Sequence, residues 1–364
     1  MKKIFFLFLL FYIILTKHAF PDIIMKPYLQ AVTQNSICVI VECNSKDTVA
    51  VRYGINQSFD NYVRTEIISI TDKTPITFVH KILIRNLQPN TIYYFTAQKG
   101  NSKSSISSFK TSVLPGSPFR FAWMADCRSD TVVHSEIAKL INESSPDFSL
   151  YGGDLCAKPD YNSWKKEFFI YEECELISHV PFFNRPGNHE GWEQNTKAFT
   201  QAPESESGLQ DYYSFDYGDM HVLVLNNELD CYEGSPQYKF AEKDLSQSGQ
   251  NWKIVMFHEP AYCFGAHGEN TEMKKLSKKV LVPNKVDVVF AGHSHFYQHN
   301  FVQGIHHFVI GSAGARLYSP DSTTWTLKIA KDYNYGIIDV STHNFNIKVF
   351  NNHKEILDSL ILEK

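Results

Sequence analysis

Five short segments of this chain each place metal-binding side chains just past a run of apolar residues. They are MADCR (124–128), YGGDL (151–155), RPGNHE (185–190), MFHEP (256–260) and FAGHSH (290–295). Apolar runs of this length, bounded by Gly, Pro, Asn or Asp, read as strands. The segments therefore offer the oxygens of Asp126, Asp154 and Asn188, and the imidazoles of His189, His258, His293 and His295, at predicted strand ends. A single motif of this kind says little. A Gly-Asp pair after a strand is usually a turn, and a lone His after an apolar run is usually a core or surface histidine. The ordered recurrence of Asp, then GD, GNHE, H and GHxH is what points to a metal site. Two carboxylates, an amide and several imidazoles form the ligand set that a two-metal hydrolase needs.

The chain has 364 residues and is 43% hydrophobic, which suits one large or two moderate domains with full cores. Residues 22–113 read as an all-β sandwich. SICVIVEC, VAVRYG, FVHKILIRNL, TIYYFTAQKG and SSISSFKTS are short runs rich in β-branched and aromatic residues, with turn residues between them. The pattern looks like a fibronectin type III-like module. Pro-Gly-Ser-Pro then marks a linker over 114–118. From 119 to 364 the pattern becomes α/β. FRFAWMAD, PDFSLYGGD and VPFFNRPGNHE are predicted strands, separated by helical spacing over 131–142 and 161–179. MHVLVLNN, WKIVMFHE, VDVVFAGHSH, IHHFVIGS and YGIIDVSTHNFNIKVFN supply later strands. Strand–helix alternation implies parallel sheet, and such sheets carry ligands at the carboxyl ends of their strands.

The formal net charge is −4, so no global basic field draws the chain to nucleic acid or anionic membrane. No basic, aromatic-interleaved stretch signals nucleic-acid binding. The first residues, MKKIFFLFLLFYIILTKHAF, place two lysines before an apolar run over 4–15. That run is short for a spanning helix, which needs ~20 residues, and it fits a signal peptide over 1–20. The expected location is secreted or periplasmic, with no stable membrane span after cleavage. Lys17 makes a poor cleavage site, so the alternative is an uncleaved N-terminal anchor. The chain has seven cysteines, an odd number. Cys38 and Cys43 lie in one predicted strand at odd separation, so they should face opposite ways. Cys127 and Cys156 flank the proposed ligands and read either as a disulfide between strand ends or as buried thiols.

With these motifs in their order, the chain resembles the calcineurin-like metallophosphoesterase superfamily. PYLQ (27–30), the L-x-P-N-T-x-Y-Y turn (87–94) and YSFDYGDMHVLVLNNE (213–228) resemble its purple-acid-phosphatase-like branch, which carries a fibronectin-like module before the catalytic domain. The resemblance implies a four-layer α/β/β/α sandwich of two mixed sheets. It also implies two divalent or trivalent metal ions of Fe, Mn or Zn type, which suit hard oxygens with imidazoles. Asp154 would bridge two cations ~3.5–4 Å apart. Asp126 and His295 would complete metal one, and Asn188, His258 and His293 metal two.

The implied reaction is phosphoester hydrolysis, with metal-bound water or hydroxide attacking phosphorus. A phosphomonoester, as a small molecule or a phosphorylated substrate, is the first choice. A phosphodiester or nucleotide is the alternative. A non-catalytic binding protein with a degenerate site is the competing class. His189 is implied as a proton donor or charge stabiliser, and otherwise as a supporting hydrogen bond. His267 would contact phosphate, and otherwise is a solvated loop residue. Glu190 either orients a ligand or starts a helix. Two positions depart from the family: Ala157 replaces the purple acid phosphatase tyrosine ligand, and Arg128 the superfamily's histidine. Arginine stays protonated and is no ligand, so metal one keeps three evident protein ligands and either binds weakly, takes extra water or stays empty. Arg128 would then contact substrate phosphate in a bidentate fork or pair with a nearby carboxylate.

Overall fold

The strands Phe119–Met124, Phe148–Tyr151 and Phe182–Asn184 pair in parallel. Nearly all their residues are buried, as parallel strands covered on both faces must be. An antiparallel run of Tyr335–Val340, Asn344–Phe350 and Ile356–Glu363 extends this sheet on one side. A second sheet holds Met220–Val224, Trp252–Met256, Val288–Ala291 and Ile305–Ile310 in parallel. Antiparallel strands flank it at both ends. These observations come from a computed structural model that describes residues 22–364. The expected signal peptide over 1–20 lies outside the described residues.

The two sheets face one another across an aromatic core. Trp123 stacks on Phe290 with ring centroids 5.1 Å apart, and Phe183 on Phe215 at 3.8 Å. Side chains alternate along a strand. Trp123 thus joins the core between the sheets, while Met124 joins the cluster under the outer helices. Helix Thr131–Glu143 lays Val133, Ile137 and Ile141 on that outer face, and starts at Asp130, whose carboxylate accepts from the N–H groups of Val132 and Val133. Helix Pro236–Gln247 covers the second sheet through Ala241 and Leu245. The order of layers is helix, sheet, sheet, helix, with both sheets mixed.

The helix expected over 161–179 is broken. A turn at Tyr161–Ser163 runs into a π-helical stretch, Trp164–Phe168, and Phe169 leaves the helix before Tyr171–Ile177 resumes. The Phe169 N–H bonds to Trp164 O at 2.9 Å, a five-residue step. That wider turn lets Trp164, Phe168 and Phe169 all enter one core. Helical periodicity alone does not foresee it.

The N-terminal sandwich is joined to the α/β layers by a shared sheet. The strand Tyr28–Gln30 lies parallel to Phe182–Asn184 and antiparallel to Ile37–Cys43. Phe78–Ile84 and Ile67–Ile70 follow, so ten strands form one continuous sheet. The opposing sheet is built from Asn61–Arg64, Ala50–Gly54, Ile92–Lys99 and Ser102–Lys103, with Ser107–Lys110 also paired to Ile92–Lys99. A three-residue strand such as Tyr28–Gln30 is too short to carry a periodic signal, which is why the join is not visible in the pattern. Cys38 and Cys43 face opposite sides, as their spacing requires. Cys127 and Cys156 are buried thiols, not a disulfide. Among the described residues no helix is long and apolar enough to cross a membrane.

Buried polar contacts lock the join. Glu42 accepts from Thr77 Oγ1 at 2.7 Å, Tyr161 Oη at 2.8 Å and Lys165 Nζ at 2.8 Å. Glu42→Ala leaves the partners of a buried charge unpaired, so it should cost about 3 kcal/mol in chemical denaturation. A second electrostatic anchor is His221, whose ring nitrogens lie 2.7 Å from Asp216 and 2.7 Å from Asp244. Burial opposes its protonation, but the two carboxylates outweigh burial and push it up to about 9 from 6.5. The stabilisation is complete below the unfolded value and lost as pH rises through about 9. The stability gap between the natural chain and His221→Gln should therefore be widest in mild acid and close in strong alkali.

Candidate metal centre

Each proposed ligand stands just beyond the carboxyl end of a parallel strand. The turns that carry them are unusual. Asp126 and Asp154 both have φ of 55°, and His293 has φ of 66°. Non-glycine residues adopt this left-handed region uncommonly, Asp and His more readily than most, and strained residues of this kind cluster at functional sites. Cross-links between the strand ends hold the conformations. Asp126 N–H donates to Gly153 O at 2.9 Å, Gly152 N–H to Met124 O at 2.9 Å, and Gly292 N–H to His258 O at 3.0 Å. Gly187 lies so close to Asp154 that a Cβ there would overlap the carboxylate.

The ring orientations follow from backbone acceptors. His258 Nδ1 is 2.8 Å from Gly152 O, and His295 Nδ1 is 2.8 Å from Arg316 O. A carbonyl only accepts, so each Nδ1 carries the proton it donates and each Nε2 is turned inward. His258 Nε2 then lies 3.1 Å from Asn188 Oδ1 and 3.3 Å from Asp154 Oδ1. His293 Nδ1 is 3.1 Å from the same Asn188 oxygen. His295 Nε2 is 3.5 Å from Asp126 Oδ1. Metal-ligating histidines use this pattern, with the far nitrogen tied to a carbonyl and the near one aimed at the site.

The donor set fits a cation. Asp126 Oδ1 is buried and has no hydrogen-bond partner. One ligand atom from each of Asp126, Asp154 and His295 can be chosen so that all lie within 4.8 Å of one another. Burial acts against the charge on Asp154, yet His258, His189 and Arg128 outweigh it and hold the carboxyl well below its usual range. Burial likewise opposes protonation of His258, but Asp154 and Asp126 push it up to about 9. His293 is pushed down to about 3 by burial and by neighbouring His258 and His267, which favours its neutral form.

The remaining expected residues line the mouth of the site. His189 Nδ1 is 3.0 Å from Ala157 O, and its Nε2 is 3.8 Å from Asp154 Oδ2. His267 is brought in from its loop, with its ring 4.6 Å from that of His293. Arg128 Nε is 3.1 Å from Asp154 Oδ2, and its Nη2 is 3.4 Å from His295 Nε2. All nine residues singled out from the sequence, six as metal ligands and three as catalytic groups, therefore meet at one place.

Residues 119–297 match the family model described as calcineurin-like phosphoesterase, and residues 26–111 match that of the purple acid phosphatase N-terminal domain. The chain belongs to the calcineurin-like metallophosphoesterase superfamily, in its purple-acid-phosphatase-like branch. Purple acid phosphatase 23 of Arabidopsis thaliana is 28% identical over 267 residues, covering 60% of this chain and 57% of that relative. Purple acid phosphatase 22 of the same plant is 31% identical over 238 residues, covering 60% and 53%. The chain thus spans little more than half the length of these relatives. Among solved structures, a purple acid phosphatase from yellow lupin (Lupinus luteus) seeds superposes with a TM-score of 0.79 at 20% identity. That superposition covers 93% of this chain and 74% of the lupin chain. PhoD superposes at 0.69 with 13% identity, covering 94% and 90%. At these identities the likeness shows the fold.

This metallophosphoesterase site also contains residues that its motifs do not announce. Tyr318 stacks on His295 at 4.6 Å and meets His267 edge-on at 5.0 Å, from a loop without periodicity. Arg185 is fully buried and donates to Leu225 O, Asn226 Oδ1 and Asn227 Oδ1 at 2.9, 2.8 and 2.7 Å. Asn227 Oδ1 in turn accepts from His258 N–H at 3.2 Å, so Arg185 positions that ligand from behind. RPGNHE and LNNE each contain a partner, but nothing in the pattern joins them. Glu190 starts no helix. Its Oε1 accepts from Gly187 N–H at 2.8 Å and so sets the loop that presents Asn188. Gly187→Ala should keep the fold by circular dichroism while weakening metal binding by at least ~10-fold in a titration, as loss of ligand support does elsewhere.

Proposed function

We propose that this protein is an exported, metal-dependent phosphoester hydrolase acting first on phosphomonoesters. The observation that carries this reading is the set of histidines anchored on backbone carbonyls, with their free nitrogens turned toward Asp126 and Asp154. Asp154, Asn188, His258 and His293 would hold one ion, and Asp126, Asp154 and His295 the other. Ions of Fe, Mn or Zn type would supply Lewis acidity, polarising the phosphoryl group and acidifying water.

The chain's own groups do the rest. Arg128 presents a planar fork suited to phosphoryl oxygens. His267 adds a ring beside His293, where a phosphate would be flanked from the loop side. Ala157 O holds the His189 ring through Nδ1–H so that Nε2 faces inward, and in the doubly protonated ring Nε2–H is the group that would donate to the leaving oxygen. General acid assistance of this kind contributes about 10²–10⁴-fold. Export rests on the lysine-led apolar run before residue 20. The substrate is a phosphoester small molecule or phosphorylated group, selected by the loops over 192–211 and 231–238. A phosphodiester or nucleotide substrate is the alternative reading.

The test is turnover of p-nitrophenyl phosphate and bis-p-nitrophenyl phosphate by chelated full-length protein resupplied with Mn, Zn or Fe. Monoester turnover that vanishes on chelation and returns with metal is the expected result. Preference for the bis-ester would assign a diesterase, and no turnover with any metal would refute the hydrolase. His189→Ala should lower kcat about 10²-fold, with a smaller change in KM.

A further inference from the structure

The two halves of the site are not equivalent. Around Asn188 the approaching groups are all ligand atoms: His258 Nε2 and His293 Nδ1 each lie 3.1 Å from its oxygen, and Asp154 Oδ1 lies 3.3 Å from His258 Nε2. Around Asp126 and His295 a cation of the chain is already present. Arg128 Nε donates to Asp154 Oδ2 at 3.1 Å, and Nη2 reaches His295 Nε2 at 3.4 Å. The His295 Nδ1–H is committed to Arg316 O, so its Nε2 is the acceptor of that guanidinium N–H. Two of the three side chains that this half offers a metal, Asp154 and His295, are therefore already in contact with Arg128.

We infer that Arg128 is a built-in cation replacing one metal ion, so that this chain holds a single tightly bound ion, at Asp154, Asn188, His258 and His293. The inference rests on the metallohydrolase reading and revises its metal content: Asp126, Asp154 and His295 lie close enough together to hold a second ion, and Arg128 takes that ion's place. Three further observations support it. Arginine keeps its proton under all ordinary conditions and cannot become a ligand. The Arg128 side chain is only 14% exposed, so it is packed in place rather than free to swing into solvent. Its backbone is also fixed: Ser129 has φ of 79° and donates its N–H to Glu167 Oε2 at 3.2 Å, and Asp130 N–H bonds to Gly314 O at 3.1 Å. A metal ion seated among Asp126, Asp154 and His295 would stand against a fixed positive charge that it could not displace without unpacking that turn. The guanidinium meanwhile supplies what an ion there would supply to a substrate, a fixed positive charge beside Asp154 with N–H groups left over for phosphoryl oxygens.

The test is a titration of chelator-stripped full-length protein with Mn(II), read by metal analysis after dialysis and by electron paramagnetic resonance. The inference expects saturation at one Mn(II) per chain with an uncoupled, mononuclear spectrum. Arg128→His and Arg128→Ala should each admit a second ion, with loss of the mononuclear signal as the pair couples. Two ions of similar affinity and a coupled spectrum in the natural chain would overturn the inference and leave the hydrolase reading standing. A second ion in neither variant would also overturn it, because Arg128 would not be what excludes that ion. No Mn(II) binding at all would overturn both readings.

Discussion

Asp154 is almost fully buried, and its carboxylate must be met by positive charge or donated hydrogens if it is to remain ionised. The surrounding structure is organised to do this. The backbone at Asp154 takes a left-handed turn, and its side chain lies between His258 on one side and Arg128 on the other. His189 donates its backbone N–H to Oδ1 at 3.0 Å, His258 approaches the same oxygen, and Arg128 takes Oδ2. Gly187 has no side chain because Asp154 fills the space where one would be. Histidine protonation, the path of the GNHE loop and the packing of Arg128 are all consequences of keeping one carboxylate charged in a buried place.

That place exists because two mixed sheets end their parallel strands at a common edge. The aromatic core between the sheets fixes their separation, and the helices outside them keep both faces dry. The N-terminal sandwich adds strands to the first sheet beyond Phe182–Asn184, the strand that leads into Asn188. Its contribution to the site is therefore mechanical. It buries what would otherwise be the sheet edge beside a ligand-bearing loop, and exposed edges are prone to pair with other chains.

Much of this was legible in the sequence for a physical reason. Parallel strands need both faces covered, so they appear as apolar runs, and ligands gather where those runs stop. Asp126, Asp154, Asn188, His258, His293 and His295 all sit at such stops, whereas His267 in its loop was offered only by the family resemblance. What stayed hidden depends on contacts across the fold. Arg185 acts on His258 through Asn227, some forty residues along the chain. Tyr318 reaches the site from a loop with no pattern. The shared sheet hangs on a three-residue strand, and the broken helix after Tyr161 answers to three aromatic rings rather than to periodicity.

The proposed chemistry requires that the strand ends form a metal site. Anomalous diffraction from crystals of the full chain soaked in Mn(II) measures this most directly. The predicted result is an ordered scatterer bounded by Asp154, Asn188, His258 and His293, with those side chains close to where they stand now. Crystals that take up Mn(II) elsewhere, or show no anomalous scatterer at these strand ends, would contradict it.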